Sequence, residues 1–591
     1  LPIDALRSPT FCKLTVTSRA PPRRPRMDHT HDEAQHREGR TMSGTTKATS
    51  PRNGARQHDQ HDEPNQDNNQ QDGMSGFLGW IERIGNKLPD PFWLFVILAG
   101  VVAVSSWLAS KAGLSATDPA SGEEIHVESL LTGENISRMV TDAVENFIAF
   151  PPLGVILATM LGVAVAEQTG LLAAMVRSMV DKVSPKMLTF MVALAGVTGS
   201  VASDAIYVII IPLGAMAFHA IGRSPVVGAM VAFAASSAGF NSSLILNITD
   251  LLLAGISTSA AQLVDDAYNV SPLANIFFVI PSAIVLALVI TAVTEFYVDK
   301  KAEALVDDDH IDQDELQLDE TNQPDDAHLT DDDDLSLTPL ERKGLAWAGV
   351  TLAVTLAAFF ALLLIPASPF ARPDEGFMES PLIQAIAIPI SLIFLATGLV
   401  YGLVVGTINE SADIPKFMAK GLESLLPILV LFFAVSQFLA WFQWSNLGPW
   451  TAIKGSELLQ SWDLPNMVLF AAFALMVTTI NLFITSGSAQ WALMAPVVVP
   501  MMMYVGVSPE VTQMLYRIGD SPSNIITPMS PYFALALTFL QKYYKKAGVG
   551  TLMSLSLPYA VSMLIGWFIF FMIWHFLGIP LGPGSPMGYE V

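Results

Sequence analysis

Twelve long apolar stretches, near 91–110, 150–180, 187–220, 225–254, 273–298, 344–365, 381–406, 424–442, 465–484, 490–506, 525–540 and 551–579, constrain this chain more than any other feature. A bilayer core takes about 20 apolar residues per helix, so the chain reads as an all-α polytopic membrane protein. Composition agrees: 51% of residues are apolar, 14% are charged and mean hydropathy is +0.45, against about 25% charged in soluble domains. Two stretches do not suit simple spans. The stretch 187–220 is long and interrupted by Gly199-Ser200 and Ser203-Asp204, and 490–506 is short and holds Pro496 and Pro500. Irregular backbone at membrane depth is tolerated only where it is buried or lines a cavity. That points to transport rather than anchoring.

Charge is uneven along the chain. Of the net −23, residues 302–341 contribute 16 Asp and Glu with no Lys or Arg, including Asp307 to Asp309 and Asp331 to Asp334. This segment reads as a solvated, self-repelling linker. An acidic chain is a poor nucleic-acid binder, and one cysteine, Cys12, allows no internal disulfide and no Cys-based zinc site. Residues 1–73 are rich in His, Gln, Asn, Arg, Asp and Pro, carry no apolar run, and read as a disordered tail without a signal peptide. Met27, Met42 and Met74 are candidate translation starts.

Basic residues near span ends set orientation. Arg83 and Lys87 put the N-terminal end of the first span in the cytoplasm, and Lys300-Lys301 with Arg342-Lys343 bracket the acidic linker there. Lys542, Lys545 and Lys546 mark another inside loop, whereas 111–149 and the tail after His575 read as outside. Laid over each other at a shift of 284 positions, the halves match Pro212 with Pro496, Ser224-Pro225 with Ser508-Pro509, and Tyr207 with Trp491. Asp204 then falls on Ser488 and Ser236 on Asp520. Loop charge changes side between the halves, as an inverted repeat requires. Inverted repeats with broken helices are a secondary-transporter architecture. The expected organisation is a tail (1–73), a first repeat (78–299), an acidic cytoplasmic linker (302–341), and an extra span with a second repeat (344–579).

Ionisable residues within spans are costly and mark function. Asp204 lies in an apolar context, and Arg517 and Asp520, three apart, share a helical face on which they can pair. Arg also suits a carboxylate, so an anionic substrate is expected; a structural Arg–Asp pair is the competing reading. Asn481, Asp520 and Asn524 offer hard oxygen ligands to Na⁺, with backbone carbonyls near Gly487, though the same side chains would equally cap broken helices. Trp491, at the end of the Gly/Ser break 485–490, offers an aromatic face. Asn241-Ser242-Ser243, Asn247 and Asp250 form a candidate mirror cluster. His219, His575 and Met501 to Met503 read as packing, and Trp441, Trp444 and Trp450 as an interfacial belt. The chain has no HExxH, GxSxG or GxxxxGK[ST] motif, so no hydrolytic or ATP-coupled chemistry is signalled and no enzyme is expected.

Six segments together resemble the AbgT family, the p-aminobenzoyl-glutamate transporters, over roughly residues 78–579. They are 82–93, 151–167 (Pro151-Pro152, Gly154, Gly162, Glu167), Ala202-Ser203-Asp204, 444–448, 486–491 and 516–528. The resemblance implies a homodimeric, bowl-shaped, multi-pass transporter of the cell (plasma or inner) membrane, surrounded by lipid. Each subunit would have about nine transmembrane helices, and two re-entrant hairpins would fall near 150–170 and 424–448. Position by position, the substrate pathway would comprise Asp204, Ser488, Trp491, Pro509, Arg517 and Asp520, and the sodium site Asn481, Asp520 and Asn524. No cofactor is implied beyond a coupling cation, Na⁺ or H⁺. The implied activity is cation-coupled transport of p-aminobenzoyl-glutamate and related aromatic carboxylates, including export of sulfonamide antimetabolites. A sodium-coupled dicarboxylate carrier is the alternative within the same broad superfamily; a membrane enzyme or a passive channel are the alternatives outside it.

Overall fold

In a computed structural model, the apolar runs become helices, many of them started by a cap or a first-turn proline. The structure describes residues 89–119, 122–181, 183–202, 205–305, 337–372 and 380–590. All of these lie in one unit, Asn65–Val591. The tail 1–73, linker residues 306–336 and Asp204 fall outside the described residues.

The first helix, α1 (Pro91–Lys111), begins where Asp90 accepts a hydrogen bond from the Phe92 N–H and proline occupies the first turn, a position that needs no donor. A short hairpin follows, Ser115–Thr117 paired antiparallel with Glu124–His126. Next come two short helices, α2 (Gly133–Thr141) and α3 (Ala143–Ile148). Then the first half unfolds as α4 (Pro151–Gln168), α5 (Leu171–Val180), α6 (Leu188–Thr198), α7 (Ala205–Ala220), α8 (Pro225–Phe233), α9 (Ile248–Ala261), α10 (Ile276–Val293) and α11 (Asp299–Leu305). Beyond the linker lie α12 (Pro339–Leu364), α13 (Pro381–Gln384), α14 (Ala387–Val405) and α15 (Asp413–Glu423). The second half is α16 (Leu426–Trp444), α17 (Leu447–Ser461), α18 (Asn466–Asn481), α19 (Gly487–Tyr504), α20 (Pro509–Asp520), α21 (Pro531–Tyr543) and α22 (Val549–Phe576).

Among the described residues, seven helices are long and apolar enough to cross a membrane, and six shorter apolar helices accompany them. The chain is a multi-pass helical membrane protein. Many apolar side chains face outward on α12, among them Trp347, Val354 and Phe360, as lipid contact allows. Inside the unit, α4 is approached closely enough to forbid side chains: a Cβ on Gly162 would stand 1.8 Å from the Ser391 carbonyl oxygen, and one on Gly421 2.1 Å from the Ala164 Cβ. Small residues permit such contacts where no hydrophobic force drives helix association.

The succession from α4 to α10 recurs from α16 to α22: two continuous helices, an interrupted pair, a second interrupted pair, then a long helix. Ser224 and Ser508 both stand at the N-cap with a proline following, at the starts of α8 and α20. Near 150–170 and 424–448 the chain forms two helix–turn–helix units, α4–α5 and α16–α17. There α4 and α16 run uninterrupted, because Pro151, Pro152 and Pro427 occupy first-turn positions that tolerate proline. The chain then turns through Gly170 (φ 86°) into α5 and through Asn446 (φ 57°) into α17. Separate helix interruptions lie after Thr198, where a 3₁₀ turn spans Gly199–Ala202, and between α18 and α19. A Gln490 Nε2 donor 3.0 Å from the Val477 carbonyl holds α19 back against α18.

Candidate substrate and cation site

The four interruptions meet around one cavity of about 410 Å³. The first half contributes Ser200, Ser237 and Asn241, and the second contributes the tip Thr485-Ser486-Gly487-Ser488 together with Asp520 and Asn524. Tyr207 and Tyr532, one from each half, stack with ring centroids 3.9 Å apart and an interplanar angle of 13°, and both line the cavity. Among the described lining residues, Asp520 is the single carboxylate and there is no Lys or Arg.

Asp520 ends α20 and is fully buried. Its Oδ2 accepts a hydrogen bond from Asn241 Nδ2 at 2.9 Å, while its Oδ1 has no hydrogen-bond partner. The carboxylate lies against Gly487: a Cβ there would stand 3.0 Å from Asp520 Oδ2. Asn481, the last residue of α18, donates through Nδ2 to the Asp520 carbonyl (2.6 Å), Ser523 Oγ (2.9 Å) and Asn524 Oδ1 (3.0 Å). Asn481, Asp520 and Asn524 are therefore brought together, with Ser523 joining them. The set fits a hard monovalent cation, because it supplies carboxylate, amide and backbone oxygens. Two of those oxygens, Asn481 Oδ1 and Asp520 Oδ1, are buried without a partner, a state that buried polar atoms rarely keep.

Arg517 does not pair with Asp520. It is one of the largest fully buried side chains, and its Nη1 donates to Asp250 Oδ1 at 2.5 Å and to the Asn241 carbonyl at 3.4 Å. Helical spacing permits an i, i+3 pair, but Asp520 sits at the helix end with its carboxylate turned to Gly487 and Asn241. Asp250 meanwhile stands in the first turn of α9, where its Oδ2 accepts from the Asn247 N–H at 2.8 Å in a reciprocal capping box. A helix N-terminus favours that carboxylate, and Arg517 completes its neutralisation.

Ser488, in the first turn of α19, lines the cavity, whereas Trp491 one turn on does not. Trp491 is buried, its Nε1 donates to Ser257 Oγ at 3.0 Å, and its ring lies against Tyr516 with centroids 4.5 Å apart. Pro509 starts α20 at the end opposite Asp520, about 16 Å along the axis at 1.5 Å per residue. Among the described residues no three His, Cys, Asp or Glu side chains group as metal ligands. The Tyr207–Tyr532 pair carried no sequence signal as a site; Asn241 did, through the polar run 241–243 within an apolar stretch.

Comparison with known proteins finds relatives over most of the chain. Residues 76–589 match the family described as "AbgT putative transporter family". The chain is 36% identical over 508 residues to the p-aminobenzoyl-glutamate transport protein of Escherichia coli K12, covering 86% of this chain and 96% of that protein. Its fold is similar to that of MtrF from Neisseria gonorrhoeae, described among a class of antimetabolite efflux pumps, with TM-score 0.77 and 40% identity over 86% of this chain and all of the other. It is similar too to the YdaH transporter of Alcanivorax borkumensis, with TM-score 0.74 and 37% identity over 84% of this chain and all of the other.

Proposed function

The chain belongs to the AbgT transporter family, and from that premise we propose that it is a cation-coupled secondary transporter of p-aminobenzoyl-glutamate and related aromatic carboxylates, including antimetabolites of the sulfonamide type. The observation that carries the reading is Asp520, the single carboxylate on a cavity wall without Lys or Arg among its described lining residues. Two unit charges 5 Å apart repel by about 3 kcal/mol at an effective dielectric of 20, so an anionic substrate entering beside an ionised Asp520 is opposed. A coupling cation held by Asn481, Asp520 and Asn524 would supply the compensating charge. Substrate and cation then favour each other's binding by the same factor, which is the thermodynamic content of coupling.

Aromatic recognition is best supported at the stacked Tyr207 and Tyr532, which present ring surface to the cavity. Ser488, Ser237 and Thr485 offer hydrogen-bonding groups to the polar ends of such a substrate. In this reading Trp491 and Arg517 act from behind the wall, Trp491 by backing Tyr516 and Arg517 by joining the two halves. Asp204, beside the 3₁₀ turn Gly199–Ala202 in sequence, belongs to the same proposal as a pathway residue. The recurring order of helices supports inverted repeats rocking about this cavity; the proposed assembly is a homodimer of the inner membrane with a cytoplasmic N-terminus.

The test is flux of radiolabelled p-aminobenzoyl-glutamate in proteoliposomes with Na⁺ and H⁺ gradients imposed separately. Uptake or efflux driven by one gradient, competed by sulfonamide and not by succinate, supports the reading. Flux independent of both gradients refutes coupling, and competition by succinate alone redirects the assignment to a dicarboxylate carrier.

A further inference from the structure

We infer that the coupling-cation site is shared between the two halves, with Asn241 of the first half supplying a side-chain oxygen to the ion bound at Asp520. The inference rests on the reading of Asp520 as a cation ligand and extends it to a residue far away in sequence. Three buried oxygens carry it. Asn241 Oδ1, Asn481 Oδ1 and Asp520 Oδ1 each lack a hydrogen-bond partner, and all three residues are fully buried. The amide nitrogens of both asparagines are engaged with Asp520, from Asn241 to its carboxylate at 2.9 Å and from Asn481 to its carbonyl at 2.6 Å. Two amides therefore flank one carboxylate from opposite halves of the chain. An asparagine presents either nitrogen or oxygen by turning about its terminal torsion, so each can donate to Asp520 without the ion and offer oxygen when the ion is there.

Asn241 lies in the loop between the turn Ala234–Ala238 and α9, a segment whose place is held from behind. Arg517 reaches the Asn241 carbonyl at 3.4 Å while paired to Asp250. Asp250 and Arg517 are positioning residues on this account: they keep the loop of one half against the carboxylate of the other. A cation bound there would bridge the halves, so ion occupancy and their relative arrangement would be linked.

The experiment uses the purified full chain in detergent, with Na⁺ binding read from intrinsic tryptophan fluorescence and from the Na⁺-dependent shift in thermal unfolding; N-methylglucamine keeps ionic strength constant. Asn241→Ala is expected to raise half-saturating Na⁺ about tenfold, in the range seen when a metal site loses a supporting group. Asn241→Asp, which adds a second carboxylate, is expected to shift preference toward Ca²⁺; it serves as the second variant if the alanine form does not fold. Half-saturating Na⁺ within twofold of the unaltered protein in Asn241→Ala, or Na⁺ preference kept in Asn241→Asp, overturns the inference. Asp520→Asn separates the two claims. If it abolishes the Na⁺ response while Asn241→Ala leaves it intact, only the shared site falls; if neither changes it, or the unaltered protein shows no Na⁺ response, the reading of Asp520 falls with it.

Discussion

The two interrupted regions are built alike and charged differently. In the first half, Asn247 Nδ2 reaches Ser200 Oγ and the Phe240 carbonyl at 3.3 Å, and Ser243 Oγ reaches the Thr198 carbonyl at 3.5 Å. Its described carboxylate, Asp250, is spent on a helix cap and on Arg517. In the second half the contacts of Asn481 run from 2.6 to 3.0 Å, and Asp520 keeps an oxygen unpartnered. Repetition of a topology therefore does not repeat its electrostatics. One carboxylate is neutralised by an arginine and braces the structure; the other faces a cavity with one oxygen unpartnered.

The comparison can be broken experimentally, starting where the effect should be largest. Asp520→Ala should abolish gradient-driven flux in proteoliposomes while expression and helix content persist; flux near that of the unaltered protein would remove the distinction between the two carboxylates. Asp250→Ala should cost about 3–5 kcal/mol of unfolding free energy in detergent, because it leaves a buried guanidinium uncompensated. Adding Arg517→Met should recover most of that stability, a result that a direct role of Arg517 at a substrate carboxylate alone would not produce.

Smaller effects sharpen the same contrast. Asn481→Ala should raise half-saturating Na⁺ about tenfold, measured by the same fluorescence titration. Gly487→Ala puts a methyl group 3.0 Å from Asp520 Oδ2, so the carboxylate must shift by a few tenths of an ångström. Weaker Na⁺ binding by several-fold is expected, with little change in the unfolding temperature. Ser243→Ala, in the loosely bonded first-half region, should change Na⁺ affinity by less than twofold; an effect as large as that of Asn481→Ala would show that both halves bind the ion by themselves.

Much of the fold was legible because its causes are local. Apolar run length, the first-turn prolines at Pro91, Pro225, Pro509 and Pro531, and the Gly/Ser interruptions at 199–200 and 486–487 act within a few residues. The proximity of Asn481, Asp520 and Asn524 was legible for the same reason: Asp520 and Asn524 are four apart, and Asn481 ends a span just before a break. Prolines at 151, 152 and 427 likewise stand in first turns and start continuous helices.

By itself, the sequence determined that this chain is a many-helix membrane protein with interrupted helices and a few charges inside them. Hydrophobicity and capping are short-range, and they leave few alternatives. Only the tertiary structure decided which charge meets which. Helical spacing offered Arg517 a partner three residues away, but the buried guanidinium found Asp250, 267 positions distant, and released Asp520 to the cavity. A buried ion must be satisfied by whatever packing brings within hydrogen-bond reach, and packing between distant segments is not written in the spacing of either one.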